Sequence, residues 1–153
     1  MLAETSMQIR EVKTNKKQFL ALLLLADESE TMIDRYLDRG TMYVLDDNGV
    51  KSVCIVTDEG SGVLEIKNLA TDPKCQRKGY ARALIEFLLE TYKTKYTVLQ
   101  VGTGESPLTL PFYQSCGFTY SHRIPNFFTI NYPHPIIEAG VELKDMIYLK
   151  RHF

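Results

Sequence analysis

The chain has 153 residues, of which 44% are hydrophobic and 24% charged, a globular composition with enough length to bury its own core. Its net charge of −1 provides no basic field for a phosphate backbone, so we expect no nucleic-acid partner. Three cysteines without C-x-x-C spacing argue against a disulfide framework and a zinc site, and we expect no metal. The chain shows neither an export leader nor an apolar run long enough for a bilayer, which predicts a cytoplasmic protein with no membrane partner.

The first forty residues predict one strand followed by two helices. Residues 7–12 alternate between apolar and polar side chains, as in a half-buried strand. Asn15 is placed to cap a helix through residue 25, and because that helix is apolar nearly all round we expect it to be well covered. Residues 30–37 predict a second helix that ends before Gly40. Its inward-facing residues are expected to be Met32, Ile33, Tyr36 and Leu37.

The middle of the chain predicts an antiparallel meander followed by a strand–helix–strand unit. Residues 41–45 and 50–56 are rich in β-favouring side chains, and the Asn48-Gly49 pair between them predicts a hairpin. A third strand is expected over residues 63–71. The helix after residue 79 and the strand at residues 97–101 then favour parallel pairing of that last strand with residues 63–71.

The last third predicts a short helix over residues 108–115, with Pro111 in its first turn, and a strand beginning at residue 118. Residues 124–140 hold three prolines and several aromatic side chains, and we expect a long loop that is functional or packed against another surface. Residues 141–150 predict the final strand. Because no linker or repeat is visible, the sequence predicts one α/β domain over residues 1–153 with a mostly antiparallel sheet.

The start of the central helix is unusual because it has no capping side chain. Gln76, Arg77, Lys78 and Gly79 occupy the positions where a cap and acidic residues would be expected, and no acid appears before Glu86. Free N–H groups beside two cations suit an external anion, most simply a phosphate. The chain contains neither a P-loop motif nor a three-glycine dinucleotide fingerprint, so both of those phosphate sites are excluded.

Two motifs in this order resemble those of the GNAT superfamily of acyl-CoA N-acyltransferases, in particular its small bacterial members. Residues 76–81 are similar to the family's Q/R-x-x-G-x-G/A pyrophosphate loop, and residues 113–118 to its Y-x-x-x-G-F ending. The resemblance implies a mixed, mostly antiparallel twisted sheet flanked by helices. It also implies acetyl-CoA as co-substrate and direct transfer of the acetyl group to a primary amine of a small molecule or peptide, within a ternary complex. The residues it implies for cofactor binding are Leu69, Ala70, Thr71, Gln76, Arg77, Lys78, Gly79, Tyr80 and Ala81.

The resemblance also implies how the reaction is divided among these residues. The backbone of residues 69–71 would pair with the pantetheine arm, at a point where the strand is splayed from its neighbour. Tyr113, with a reference pKa of about 10, would protonate the leaving thiolate; the alternative is an aromatic residue of the core. Glu65 would accept the amine proton directly or through water; the alternative is a solvated carboxylate paired with Lys67. His122 and Glu105 are weaker candidates for the base.

Other functions remain open at this stage. One is a catalytically weak CoA-binding sensor or regulatory module of the same fold, which Glu105 favours because many relatives have Asn near that position. Another is a nucleotide-binding protein that uses residues 77–79, although no Mg²⁺-ligand motif is apparent. The apolar residues of the 124–140 loop are expected either to wall the acceptor site or to bury themselves in a homodimer.

Overall fold

The computed structural model describes residues 7–153, so the expectation about a leader lies partly outside the described residues. A seven-stranded sheet runs in the order β1-β2-β3-β4-β5-β9-β6, and β7 and β8 form a separate two-stranded hairpin. The strands are β1 Gln8–Val12, β2 Thr41–Asp46, β3 Val50–Gly60, β4 Val63–Thr71, β5 Val98–Gly104, β6 Thr119–Ile124, β7 Ile137–Glu138, β8 Val141–Glu142 and β9 Met146–His152. The helices are α1 Leu20–Ala26, α2 Glu30–Leu37, α3 Tyr80–Tyr92, α4 Leu110–Ser115 and α5 Phe127–Asn131.

The predicted mixed sheet is confirmed, since β4 and β5 pair in parallel and the other described strand pairs are antiparallel. The predicted hairpin between β2 and β3 also forms. Asn48 and Gly49 have φ values of 57° and 110° there, in the left-handed region that this dipeptide tolerates. The strand–helix–strand unit follows from the right-handed crossover that parallel strands require.

The sheet is covered on both faces by helices. On the α3 face, Leu84, Ile85 and Leu88 are fully buried against β3, β4, β5 and β9. Full burial of such a side chain is worth roughly 1.5–3 kcal/mol, so this face supplies much of the stability. On the opposite face, here called the α1–α2 face, Leu23 and Ile33 pack against β2 and β3. The four residues of α2 predicted to face inward are all buried.

The predicted first helix differs from the structure in two respects. The Asn15 side chain does not cap the helix, and the helical segment begins with a 3₁₀ turn at Lys16–Phe19 that precedes α1. The Lys16 ammonium donates 2.8 Å hydrogen bonds to the carbonyls of Leu37 and Gly40, which ties the 3₁₀ turn to the end of α2. The expectation of full coverage is also wrong, because only Leu23 of α1 is buried and Leu25 remains 53% exposed.

The C-terminal segment is more ordered than the predicted loop and strand. It contains α5 and the β7–β8 hairpin, which reverses at Ala139 and Gly140 with φ values of 51° and 76°. This reversal keeps residues 141–142 out of the main sheet, so the final strand begins at residue 146 instead of 141. The segment packs as a small separate core around Phe128, Ile136 and Leu143.

None of the helices in the described part of the chain has the length and apolar content needed to cross a lipid bilayer.

Candidate active site

The central feature of the site is a gap between β4 and β5. The two parallel strands pair only from Val63–Val98 to Ile66–Val101. Beyond that point β5 continues to Gly104 with β9 alone, while β4 continues to Thr71 with β3 alone. Backbone groups of residues 67–71 along this edge of β4 therefore have no strand partner among the described residues, as a bound extended chain would require.

A β-bulge occurs where the two strands separate. On β3, Ile55 is paired with Asn68 and Val56 with Ile66, so Lys67 is an extra residue on β4. Bulges bend a strand and re-aim its side chains, which explains why β4 diverges from β5 here. Leu69, Ala70 and Thr71 lie beyond the bulge. The Ser52 hydroxyl fixes this stretch from the β3 side by donating to the Ala70 carbonyl at 2.7 Å.

The chain leaves β4 and passes through a 3₁₀ turn at Pro73–Cys75 into the uncapped start of α3. Gly79 is the N-cap with φ 84° and no side-chain cap, and Arg77 also has a positive φ of 65°. Within residues 7–153, no acceptor is hydrogen-bonded to the backbone N–H groups of residues 76–82. Gln76, Arg77 and Lys78 are exposed, so their N–H groups and two cationic side chains are available to an anion.

Tyr80 fixes the position of this helix start. Its hydroxyl donates a 2.6 Å hydrogen bond to Asp47 in the β2–β3 turn, and this bond raises the pKa of Tyr80 to about 12. Ala81 follows in the first turn and is half-buried. The sequence motif identified Tyr80 and Ala81 by position only, whereas the contact between Tyr80 and Asp47 joins residues 33 positions apart.

Tyr113 lies in α4, on the α3 face of the sheet. Its ring is buried and makes edge contacts with Phe112 at 5.2 Å and with Phe118 at 5.6 Å between centroids. Burial, followed by the nearby Cys116, raises its pKa above the usual value. The hydroxyl is therefore protonated at neutral pH, and no hydrogen-bond partner for it exists among the described residues. Both predicted roles, proton donor and core aromatic, are compatible with this environment.

Glu65 lies on the α1–α2 face of β4 and is only 4% exposed, so the alternative of a solvated surface carboxylate is wrong. The predicted pairing with Lys67 is present at 2.8 Å, and the Gln100 amide donates to the other carboxylate oxygen at 2.7 Å. Burial, then the Glu65 carboxylate, raises the pKa of Tyr148 on β9 to about 12. Glu65 is thus part of a polar strip that crosses the sheet next to the gap.

The weaker candidates for the base, and the cysteines next to the two motifs, make other contacts or are buried. His122 is exposed on β6 and stacks on the Tyr148 ring at 4.6 Å. Glu105 follows β5 and lies 3.5 Å from the Arg123 guanidinium. Cys116 is buried and Cys75 half-buried. The His122 ring also lies 2.9 Å from the hydroxyl of its neighbour Ser121, and both residues are on β6.

A further polar network on the α1–α2 face was not visible in the sequence. The Asn68 amide donates to the Leu23 carbonyl at 3.0 Å and to the Tyr36 hydroxyl at 3.1 Å. Asp27, between α1 and α2, accepts from the hydroxyls of Tyr36 at 3.2 Å and Tyr132 at 2.8 Å. The network joins positions up to 105 residues apart, and no local pattern indicates such contacts.

Comparisons with known proteins agree with this geometry. Residues 38–120 match the family model of the acetyltransferase (GNAT) domain. The uncharacterized N-acetyltransferase YvbK of Bacillus subtilis (strain 168) is 33% identical over 131 residues, which is 84% of each chain. A crystal structure of a GNAT family acetyltransferase from Elizabethkingia anophelis, with acetyl-CoA bound, superposes with a TM-score of 0.91 at 34% identity and covers 98% of this chain and 100% of that one. An acetyltransferase of Bacillus subtilis in complex with CoA gives 0.88 at 29% identity, covering 97% and 99%.

Proposed function

The chain belongs to the GNAT family of acetyltransferases, and on this premise we propose that it transfers the acetyl group of acetyl-CoA to a primary amine of a small molecule or peptide. The transfer is direct, within a ternary complex of enzyme, acetyl-CoA and amine. One observation carries the proposal. The edge of β4 that has no strand partner among the described residues leads, through a short 3₁₀ turn, into the uncapped N-terminus of α3.

These two features fit the two ends of acetyl-CoA. The unbonded N–H groups of residues 76–82, with Arg77 and Lys78 beside them, would hold the pyrophosphate. The edge of β4 at residues 69–71 would pair with the amide groups of the pantetheine arm, as an added strand does. The co-substrate supplies an activated acyl group and a thiol leaving group, and the protein must position them and move two protons.

Tyr113 is the proposed donor to the departing sulfur. The reference pKa of a phenol is about 10, so a tyrosine is protonated at neutral pH and can donate a hydrogen bond, and then its proton, to the departing sulfur. Because the reference pKa of a thiol is only about 8.5, this transfer is uphill and the phenolate must regain a proton from solvent. The raised pKa of Tyr113 keeps the hydroxyl protonated until that moment. The absence of a competing hydrogen bond to this hydroxyl, among the described residues, leaves it free to turn towards a ligand.

Glu65 is the proposed acceptor of the amine proton. Lys67 and Gln100 each bind one carboxylate oxygen. The same contacts occupy the carboxylate in the free protein. Proton transfer therefore requires either a lone pair beside the existing contacts or a bridging water on the α1–α2 face.

The test is turnover with acetyl-CoA and a panel of amines, measured as release of free CoA thiol together with the mass of the acetylated amine. We expect thiol release to depend on the amine. Acetyl-CoA that raises the melting temperature without yielding product from any amine would contradict the proposal and support the sensor or regulatory module.

That second function is favoured by one observation, the occupation of both Glu65 oxygens by Lys67 and Gln100. A ligand-binding module does not need a free base, whereas an enzyme does. Three further expectations also remain predictions: a single domain over residues 1–153, a cytoplasmic location in a bacterium, and the absence of a metal.

A further inference from the structure

Asp27 is a partly buried carboxylate without a cation. It lies between α1 and α2 and is neither fully buried nor fully exposed. Within the described part of the chain, no lysine, arginine or histidine approaches it within 4.0 Å, although seven such pairs occur elsewhere. A carboxylate that loses part of its hydration is stabilised when a cation is supplied, so the site is electrostatically incomplete.

The carboxylate is also held in a fixed orientation. Tyr132 donates to Oδ1 at 2.8 Å, Tyr36 donates to Oδ2 at 3.2 Å, and the Ser29 backbone N–H lies 3.3 Å from Oδ1. Burial, followed by Asp27 itself, raises the pKa of Tyr132, which keeps that hydroxyl a donor. A binding site needs a carboxylate that is held in a fixed orientation in this way.

The network connects Asp27 to the reaction site. Tyr36 accepts a 3.1 Å hydrogen bond from Asn68, which follows the bulge and is 3% exposed. The Asn68 Oδ1 atom is buried and has no hydrogen-bond partner among the described residues, an arrangement that is costly unless a ligand or a water completes it. Asp27 is therefore linked by two hydrogen bonds to β4, the strand that borders the gap, and it lies on the α1–α2 face of the sheet.

Two phenol groups lie next to the same point. The Tyr132 ring stacks with Phe128 at 5.6 Å between centroids, and Tyr36 contributes a second phenol next to Asp27. Both phenols contact Asp27 through their hydroxyls, so an organic ammonium ion at this point gains an ion pair with the carboxylate and can donate to the phenol oxygens.

We propose that Asp27 binds a second ammonium group of the acceptor, so that the preferred acceptors are diamines whose other amine lies at the β4–β5 gap. This inference rests on the proposed acetyl transfer for the reacting end of the acceptor. Recognition by Asp27 itself concerns binding and can be measured without turnover.

The experiment compares putrescine with aminobutanol, in which a hydroxyl replaces one ammonium group of the same carbon chain. Binding of each to the wild-type protein is measured by calorimetry, with and without CoA, and kcat/KM is measured with acetyl-CoA. A charge-assisted contact predicts a preference for putrescine on the order of 10- to 100-fold. Asp27→Asn keeps the shape and an acceptor oxygen, and we expect it to reduce the preference to within about threefold while CoA still raises the melting temperature.

Three matched variants separate the carboxylate from its surroundings. Asp38→Asn removes an exposed carboxylate at the end of α2, and Glu142→Gln removes one that lines a neighbouring cavity of about 160 Å³; both should keep the preference. Tyr132→Phe leaves the charge of Asp27 in place but removes one of the donors that orient the carboxylate, so we expect it to lower the preference less than Asp27→Asn does. If Tyr132→Phe loses the preference as fully as Asp27→Asn does, the network is structural and the proposal is overturned.

Other results also overturn it: equal binding of the two compounds by the wild type, or a preference that survives in Asp27→Asn. Failure of the proposed acetyl transfer looks different. In that case no amine yields product, while calorimetry still shows whether putrescine binding depends on Asp27.

Discussion

The two roles predicted for Tyr113 can be separated by removing its hydroxyl group. The role of proton donor requires the hydroxyl, whereas the role of core aromatic requires only the ring. The Tyr113 ring packs between Phe112 and Phe118, and phenylalanine would preserve both contacts. Tyr113→Phe therefore removes the hydroxyl with little change in packing. If the hydroxyl protonates the thiolate, kcat should fall by roughly 10²–10⁴-fold, with the affinity for acetyl-CoA nearly unchanged.

The control for this variant is Tyr120→Phe, which removes the hydroxyl of a tyrosine that is 55% exposed on β6. Both variants are assayed at saturating acetyl-CoA and amine. A Tyr113→Phe enzyme that keeps more than about half of the wild-type kcat would leave Tyr113 as a core residue, and a bound water would become the candidate donor.

Tyr80 offers a test through pH. Its pKa is raised to about 12 by Asp47, so the hydrogen bond contributes stability that is fully present below the unfolded pKa of about 10. That contribution is lost as the pH rises towards 12. We expect Tyr80→Phe to melt below the wild type at pH 8, with a difference that shrinks above pH 10 because the bond is then lost in the wild type also. A difference that stays constant across this range would mean that the bond does not contribute.

Sequence reasoning succeeded for residues whose role depends on their neighbours along the chain. The uncapped start at Gly79 and the buried face of α3 follow from local composition and from the 3.6-residue period. The pairing of Glu65 with Lys67 was expected, but the burial of Glu65 and its contact with Gln100 could not be predicted, because Gln100 lies on a parallel strand 35 residues away. The Asp27 network could not be predicted for the same reason, because its contacts join residues far apart in the sequence.

The start of α3 is the element on which cofactor binding depends. Gly79 has φ 84°, and a Cβ added there would meet no atom within 4 Å, so a substitution strains the backbone without a steric clash. Gly79→Asp also adds a negative charge beside the unbonded N–H groups. We expect it to abolish the rise in melting temperature that CoA gives the wild type by mass action.

Gly60→Asp is a matched control for this substitution. Gly60 has the same φ of 84° and the same open surroundings, but it is the last residue of β3. Its variant should lose stability from backbone strain and keep the full CoA response. A Gly79→Asp protein that still responds to CoA, or a wild type that does not, would remove the phosphate site from α3.

Strand β4 shows which parts of an element the sequence can reveal. Its β-favouring residues, ended by Asp72-Pro73, predict the strand and its bounds, and the parallel partner follows from crossover geometry. The bulge at Lys67 and the separation from β5 carry no signature in side-chain type, because a bulge is a property of register between two strands. The family resemblance supplied that expectation, and composition alone did not.

For the molecule as a whole, the question is whether two chains associate through the C-terminal segment. Phe128 and Ile136, which were expected to need a cover, are already buried in the small core of their own chain. What remains exposed are three aliphatic side chains on α5 and the hairpin: Ile130 at 76%, Ile137 at 57% and Val141 at 40%. The register places Ile137 and Val141 on opposite faces of the β7–β8 ribbon. Exposed aliphatic side chains suit a symmetric contact between two copies, and Ile137 is the more exposed of the two hairpin residues.

We therefore expect light scattering to give twice the 17.5 kDa mass of the chain. Ile137→Asp should shift the particle towards the single chain, because a charge in an apolar interface loses hydration without gaining a partner. Leu25→Asp, at a residue 53% exposed on α1, is the control and should leave the mass unchanged. A mass of 17.5 kDa for the wild type at every working concentration would exclude the homodimer and leave the C-terminal segment as a wall of the acceptor site.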